Sequence, residues 1–474
     1  MAEEAGLVPP GDPPGRLPAA LELLPAGPVS LRLAAPASKS ITNRALLCAA
    51  LAEGTSHLHG AAGSDDAHAM ATALSQLGAG IDLGGPGPGS AIPSPTVWTV
   101  TGTGGRLASP ARPLDARLSG TTMRFLAAAA TLTPAGATVT GAAPLLRRPV
   151  GPLVAALAAL GAGITDAGDG FPPVTTSGGG LAGGAATVDA TDSSQFASAV
   201  LLVAPYARQP VELTAERHGA AAYVDLTAAV MRRFGAEVEP SDPAGPGPGP
   251  GAGPGGAAAW RVEAGRPYRA TDLEVEYDAS AAAHLVALAA ATGGTVTVTN
   301  ADPATLQPDA ALPALLEAMG AGVTRDGPCL TVRGPATLGP VDADLAAMPD
   351  QVATVAALAA LATGRSRIRG VAVARGHETD RLAALAAELG KLGVAVTELP
   401  DGLVVAGPGP DRLRPARLAT WGDHRMAMAL AAVAARVPGV VIEDPGCVAK
   451  TYPGFWADLA AAGLAWRAHP GPVE

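Results

Sequence analysis

The sequence predicts an α/β protein of two similar domains, each built from three copies of a small repeating unit. Three observations predict it. The chain is 474 residues long, more than one hydrophobic core usually organises. A helix-like stretch closed by glycine recurs six times along it. Between the helical stretches lie short alternating β-branched runs, the pattern of half-buried strands.

The repeat is the strongest of the three signals. An apolar residue, a glycine and a small or apolar residue follow a helical pattern at Leu77-Gly78-Ala79, Leu160-Gly161-Ala162, Phe234-Gly235-Ala236, Met319-Gly320-Ala321 and Leu392-Gly393-Val394. Ala462-Gly463-Leu464 is a weaker sixth copy. Each glycine stands where a helix end needs a left-handed residue before the chain turns into a strand. The spacing, roughly 70 to 85 residues, suits a small α/β unit rather than a solenoid repeat. Upstream of each glycine lies a second Ala/Leu helix followed by a β-like run, clearest at 137–140 and 295–299 and similar at 366–371 and 438–442. An Ala/Gly-biased composition produces accidental likenesses, but ordered spacing across six copies argues against accident.

Three stretches fall outside the repeat. Residues 84–95 and 241–257 are dominated by Gly and Pro and are expected to be flexible surface loops. Residues 1–16 are expected to be a disordered tail.

Composition narrows the class. Hydrophobic residues make up 48% and charged residues 16%, a globular balance, and with aromatics at 3% the core must be filled by Ala, Leu and Val. A net charge of −10 argues against a general nucleic-acid binder. Cys48, Cys329 and Cys447 form no CxxC pair, so neither a disulfide scaffold nor a cysteine metal site is expected, and a reducing compartment is. The first thirty residues do not read as a signal peptide, and no apolar stretch reaches membrane-spanning length. A cytoplasmic protein without membrane partners is the expectation.

Polar residues gather at the starts of the upstream helices: Lys39, Ser40, Asn43 and Arg44; Ser119, Gly120, Thr121 and Arg124; Asp192, Ser193, Ser194 and Gln195; Asp278 and Ser280; Asp350 and Gln351; Asp423, His424 and Arg425. Helix capping accounts for one such residue per helix, and Ser280 and Asp350 fit that account. Capping does not account for Arg44, Arg124 and Arg425, because a cation there opposes the helix dipole. An anion between the cation and the helix amides removes the conflict, so these helix starts read as phosphate or carboxylate sites. The chain has only three lysines, Lys39, Lys391 and Lys450. Where Arg so often supplies the charge, a lysine in a polar motif suggests proton chemistry, which favours Lys39 and Lys450 over Lys391. The acidic candidates are Asp350 and Glu378, the latter in Arg375-Gly376-His377-Glu378-Thr379-Asp380-Arg381.

Read in order, Ser38-Lys39-Ser40, Asn43-Arg44, Ser64-Asp65-Asp66, Ser119 to Arg124, Arg148-Pro149, Ser193-Ser194-Gln195, Tyr223-Val224-Asp225, Glu378 to Arg381, Asp423 to Met428 and Ala449-Lys450-Thr451 resemble the 5-enolpyruvylshikimate-3-phosphate synthase family over about 31–464. The resemblance implies two domains of three βαβαββ units around a pseudo-threefold axis, with the active site in the cleft between them. It implies crossings near Leu33–Pro36 and Leu273–Asp278, hence a first domain of 17–33 plus 275–468 and a second of 34–274.

By the same resemblance, Lys39, Ser40, Arg44, Ser193, Ser194, Gln195, Tyr223, Asp350 and His377 would hold shikimate 3-phosphate. Lys39, Gly120, Arg148, Gln195, Arg381, Arg425 and Lys450 would surround phosphoenolpyruvate, with Arg124 either a ligand or a support of the loop. The implied reaction moves the enolpyruvyl group onto the 5-hydroxyl by addition and elimination, with Lys39, Asp350 and Glu378 as catalytic groups. No metal or organic cofactor is implied, and a monomer is expected. Three positions depart from the commonest pattern: His377 where Lys is frequent, Leu118 where Asn is frequent, and Ala220 to Ala222 where Ser-Lys-Pro is frequent. Two rival readings stand beside this one. A UDP-N-acetylglucosamine enolpyruvyl transferase would use a loop cysteine, and an inactive homologue would bind anions without turnover.

Overall fold

A computed structural model describes residues 7–8, 17–25, 27–84, 97–216, 221–241 and 257–469. The chain divides into two compact units, one formed by 1–36 with 277–474 and the other by 37–276. The crossings implied by the resemblance, near 33–36 and 273–278, compare with changeovers after Pro36 and after Glu276. Each unit has a hydrophobic core of its own.

Six sheets are present among the described residues, three per unit, and they share one plan. A first strand runs parallel to a second, the second pairs antiparallel with a fourth, and the fourth pairs antiparallel with a third. In one sheet Leu114–Asp115, Thr138–Thr140, Val174–Gly178 and Gly163–Thr165 pair in this order. Asp342–Asp344, Thr363–Arg369, Gly402–Pro408 and Ala395–Leu399 repeat it in the other unit. With one helix after the first strand and one after the second, each copy is the βαβαββ unit.

Three copies are completed by strands distant in sequence. Ser30–Leu33 pairs in parallel with Thr295–Val298, so the whole 37–276 unit is inserted between that first strand and its own helix. Inside the inserted unit, Asp272–Glu274 returns to pair in parallel with Thr55–His59. Ala20–Leu24 supplies the fourth strand for Val441–Glu443 and Ala465–His469. Within the stretch expected to be a disordered tail, Leu7–Val8 adds to the edge formed by Ala465–His469, where unpaired backbone groups are available to a further strand. The rest of 1–16, and 85–95 and 242–256 of the expected loops, lie outside the described residues.

The first helix of each copy is almost wholly buried. Gly120–Ala130, His424–Ala434 and Val352–Leu361 have no exposed residue. They are Ala-rich and apolar all round, as central helices must be. Lys39–Leu51, Gly120–Ala130 and Gln195–Val203 pack against one another in one unit; Ala279–Thr292, Val352–Leu361 and His424–Ala434 do so in the other. Alanine allows three helices to approach closely, which accounts for a core with few aromatics.

All six repeat glycines adopt left-handed backbone: Gly78, Gly161, Gly235, Gly320, Gly393 and Gly463 have φ between 84° and 101°. A Cβ at Gly463 would have nothing within 4 Å, so the cost of replacing it is purely backbone strain. Gly463→Ala is therefore expected to cost about 1 kcal/mol and to lower the thermal midpoint by about 2–4 °C, measured by calorimetry. No change would remove the conformational reason for glycine in the repeat.

Candidate active site

In the 37–276 unit the polar residues stand at the starts of its three central helices. Ser38 caps the first, accepting from the Ile41 amide, and Ser119 caps the second, accepting from the Thr122 amide. Lys39 occupies the first helical position, where its charge opposes the dipole; Asp66 offsets it at 3.1 Å. Asp66 sits in the first turn of the neighbouring Asp65–Gln76 helix and its carbonyl accepts from the Thr122 hydroxyl. Two helix starts are thereby tied together.

Arg44 is buried and its guanidinium is spread over four acceptors. Nε donates to Thr227 Oγ1 at 2.7 Å, Nη1 to the Ser40 carbonyl at 2.9 Å, and Nη2 to Ser198 Oγ and the Tyr223 carbonyl. Burial pulls its pKa down to about 10, so it stays charged at neutral pH. Arg124 is also buried. It donates to Gln195 Oε1 at 2.7 Å, to Ser193 Oγ and to the Pro149 carbonyl, and lies over the Phe196 ring at 4.8 Å. Arg124 thus braces the two loops that carry Ser193 to Gln195 and Arg148. Ser194 holds the cap position of Gln195–Val203 without a side-chain cap bond, while Ser193 Oγ accepts from the Gln195 amide.

Gly120 has a different reason to be glycine. Its φ is ordinary, but a Cβ there would come within 2.7 Å of Arg148 Nη1. The missing side chain lets the Arg148 guanidinium lie close against a helix start, and a guanidinium beside helix-start amides suits an anion.

In the other unit a denser cluster is organised around Arg381, which is fully buried. Its Nε donates to Asp423 Oδ2 at 2.7 Å, Nη1 to Asp350 Oδ1 at 2.8 Å and Nη2 to Glu378 Oε2 at 2.7 Å. Asp350 Oδ2 is held by Arg425 Nη2 at 2.8 Å, and Glu378 Oε1 by Lys450 Nζ at 2.6 Å. His377 Nδ1 lies 2.8 Å from Arg381 Nη1 and 3.4 Å from Asp350 Oδ1. Burial alone would raise the Asp350 carboxyl, but Arg425 and Arg381 beside it, with His377, hold it well below the usual carboxylate range. Burial opposes the charge on Arg381; Asp423, Glu378 and Asp350 more than restore it.

The structure therefore brings Asp350, His377, Glu378, Arg381, Arg425 and Lys450 together in one unit, and Lys39 with Asp66, Arg44 with Ser40 and Tyr223, and Arg124 with Ser193 and Gln195 in the other. Two capping assignments change. Asp350 is not a cap: it lies in the 3₁₀ turn Pro349–Gln351, with its carboxylate drawn to the arginines. Asp278 caps Ala279–Thr292, and Ser280 instead donates to Asp309. Sequence reasoning also gave no role to Asp66, Thr227, Ser198 or Asp423 as partners of the cations; only Asp423 and Asp66 carried a signal, as acids inside quoted motifs. Of the departures, Leu118 is exposed beside the Ser119 cap and Ala220 lies outside the described residues. No cluster of three or more metal-ligating side chains is present among the described residues, and no helix there is long and apolar enough to cross a membrane.

Removing Arg381 leaves buried carboxylates uncompensated. Arg381→Met is expected to cost about 3–5 kcal/mol in urea unfolding, and a change below 1 kcal/mol would contradict the network. Asp350 also sets a pH dependence. Its folded pKa is depressed, so its stabilisation is present above the unfolded value near about 4 and is lost as pH falls below that. Asp350→Asn should flatten the fall in unfolding free energy on acidification; an unchanged slope would contradict the charge pairing.

The same chain matches the family model of EPSP synthase (3-phosphoshikimate 1-carboxyvinyltransferase) over residues 24–459. A 3-phosphoshikimate 1-carboxyvinyltransferase of Methanoculleus marisnigri is 38% identical over 92% of this chain and 98% of its own. One of Syntrophobacter fumaroxidans is 41% identical over 91% and 97%. Among solved structures, an EPSP synthase of Acinetobacter baumannii aligns with a TM-score of 0.75 at 26% identity, covering 94% of this chain and 99% of that one. The enolpyruvyl transferase NikO of Streptomyces tendae, at 18% identity and a TM-score of 0.70, shares the fold. Family match, full-length relatives and the βαβαββ repeat agree: the chain belongs to the EPSP synthase family.

Proposed function

We propose that this chain transfers the enolpyruvyl group of phosphoenolpyruvate to the 5-hydroxyl of shikimate 3-phosphate and releases inorganic phosphate, a step of aromatic amino-acid biosynthesis. The observation that carries the reading is Asp350, an ionised base held between Arg425 and Arg381 at 2.8 Å each, in a chain of this family.

Lys39, Ser40, Arg44, Ser193, Ser194, Gln195, Tyr223, Asp350 and His377 hold shikimate 3-phosphate in this proposal. Lys39, Gly120, Arg148, Gln195, Arg381, Arg425 and Lys450 receive phosphoenolpyruvate. With both guanidiniums bound to it, Asp350 is a weak base. The carboxylate and phosphate of phosphoenolpyruvate compete for the same guanidiniums, and sharing them raises the basicity of Asp350 when substrate is present. Asp350 then takes the 5-hydroxyl proton as the oxygen adds to the central carbon, while the methylene carbon gains a proton from Lys39 or Glu378. In the second half a proton leaves the new methyl group and the carbon–oxygen bond to phosphate breaks. The cations stabilise the departing dianion. The reading includes a monomeric cytoplasmic enzyme acting on small molecules, without nucleic acid or membrane.

The cysteines speak against UDP-N-acetylglucosamine as acceptor. Burial pushes the Cys48 and Cys447 thiols up to about 12, and Cys329 lies in a strand, so none is a reactive loop thiolate. Purified protein is expected to release phosphate from phosphoenolpyruvate with shikimate 3-phosphate and not with UDP-N-acetylglucosamine. Lys39→Met should lower the rate by roughly 10²–10⁴-fold. Release only with the nucleotide sugar, or none with either acceptor, would overturn the proposal.

A further inference from the structure

Behind Asp350 lies a chain of buried polar groups that the proposed reaction does not use. Gln351, the next residue, is fully buried. Its Nε2 donates to Asp309 Oδ2 at 2.9 Å and its Oε1 accepts from Thr354 Oγ1 at 2.8 Å. Asp309 Oδ2 also accepts the Ser280 hydroxyl, and Thr354 Oγ1 lies 3.2 Å from His284 Nδ1. Asp309 and His284 are 1% and 2% exposed. Asp309 Oδ1 is buried and has no hydrogen-bond partner, beside a small cavity lined by Tyr277, Ala283, Val286, Pro313 and Leu330. Four buried polar side chains, with the half-buried Ser280, thus come together from three chain segments in a largely apolar surrounding.

Burying such groups is costly, and apolar residues of similar volume would stabilise the core more. Their arrangement offers another return. Pro349–Gln351 is a single 3₁₀ turn with no side-chain cap, and the grip on Gln351 is the side-chain hydrogen bonding that anchors it from within. Burial pushes the Asp309 carboxyl up to about 6; Arg425 draws it down and Asp350 pushes it up, so its charge is felt at the same residues.

We infer that Asp309 is a positioning residue for the reaction: by gripping Gln351, with Ser280 as its second donor, it fixes the turn that aims Asp350 between Arg381 and Arg425. The inference rests on the function proposed above.

The test compares wild type, Asp309→Ala, Asp309→Asn and Gln351→Met in phosphate-release kinetics and in amide hydrogen exchange of the 347–354 segment. Asp309→Ala is expected to lower kcat on the order of 10²-fold while the KM for phosphoenolpyruvate changes less than about threefold, and to speed exchange in that segment. Asp309→Asn keeps an oxygen for both donors and should restore kcat to within about fivefold with exchange as in wild type. Gln351→Met should reproduce the alanine phenotype, and it carries the test where Asp309→Ala does not fold. An unchanged kcat in Asp309→Ala and Gln351→Met, or Asp309→Asn as impaired as Asp309→Ala, would overturn the inference. An inactive wild type would overturn the proposed reaction instead. Exchange then decides the positioning role by itself: faster exchange in Asp309→Ala and Gln351→Met but not in Asp309→Asn supports it, and equal exchange in all overturns it.

Discussion

One buried guanidinium, Arg381, holds the polar cluster of its unit together. Its three nitrogens each take a carboxylate, Asp423, Asp350 and Glu378. Burying such a group is not an economical way to stabilise a fold, because desolvation offsets much of the Coulomb attraction. It does keep Asp350 ionised and hold all three carboxylates in place. Asp423, at the cap of His424–Ala434, anchors the guanidinium by two of its nitrogens. Asp350 and Glu378 are less buried and are shared with Arg425 and Lys450. In the proposed reaction, an arriving dianion meets cations whose present partners are the carboxylates assigned to catalysis.

The 37–276 unit solves a related problem without such a hub. Arg44 lies behind the first helix start and is held by hydroxyls and carbonyls rather than by acids. Its net charge is therefore not cancelled locally. Arg148 lies over the second helix start because Gly120 leaves room for it. Helix amides, a nearby guanidinium and Lys39 make this end of the unit attractive to phosphate and carboxylate groups. The Lys39–Asp66 pair keeps the lysine close to the helix end that its charge would otherwise strain.

Much of this was legible in the sequence, because the repeat is enforced by local backbone chemistry. Each repeat glycine is left-handed as the helix-end reading requires, and Ser38, Ser119, Asp278 and Asp423 each cap a helix. What was not legible depends on long-range pairing. Nothing local in Ala20–Leu24 says that it completes a sheet with Val441–Glu443. Asp350 and Ser280 look like caps because capping is a local propensity, and both were claimed by partners far along the chain, Asp350 by Arg381 and Arg425 and Ser280 by Asp309. The cations were found as exceptions to the dipole rule, whereas their neutral partners Thr227 and Ser198 carry no such signature.

The proposed reaction is addition followed by elimination at these residues. It is tested most directly by carbon NMR of the turnover of methylene-labelled phosphoenolpyruvate with shikimate 3-phosphate in heavy water. Addition converts the methylene carbon into a methyl group that has taken one proton from solvent, and elimination removes one of its three hydrogens. The account predicts an enol ether product whose methylene carbon carries solvent deuterium, formed as phosphate is released. An enol ether with a purely protiated methylene, or phosphate released without any enol ether, would contradict it.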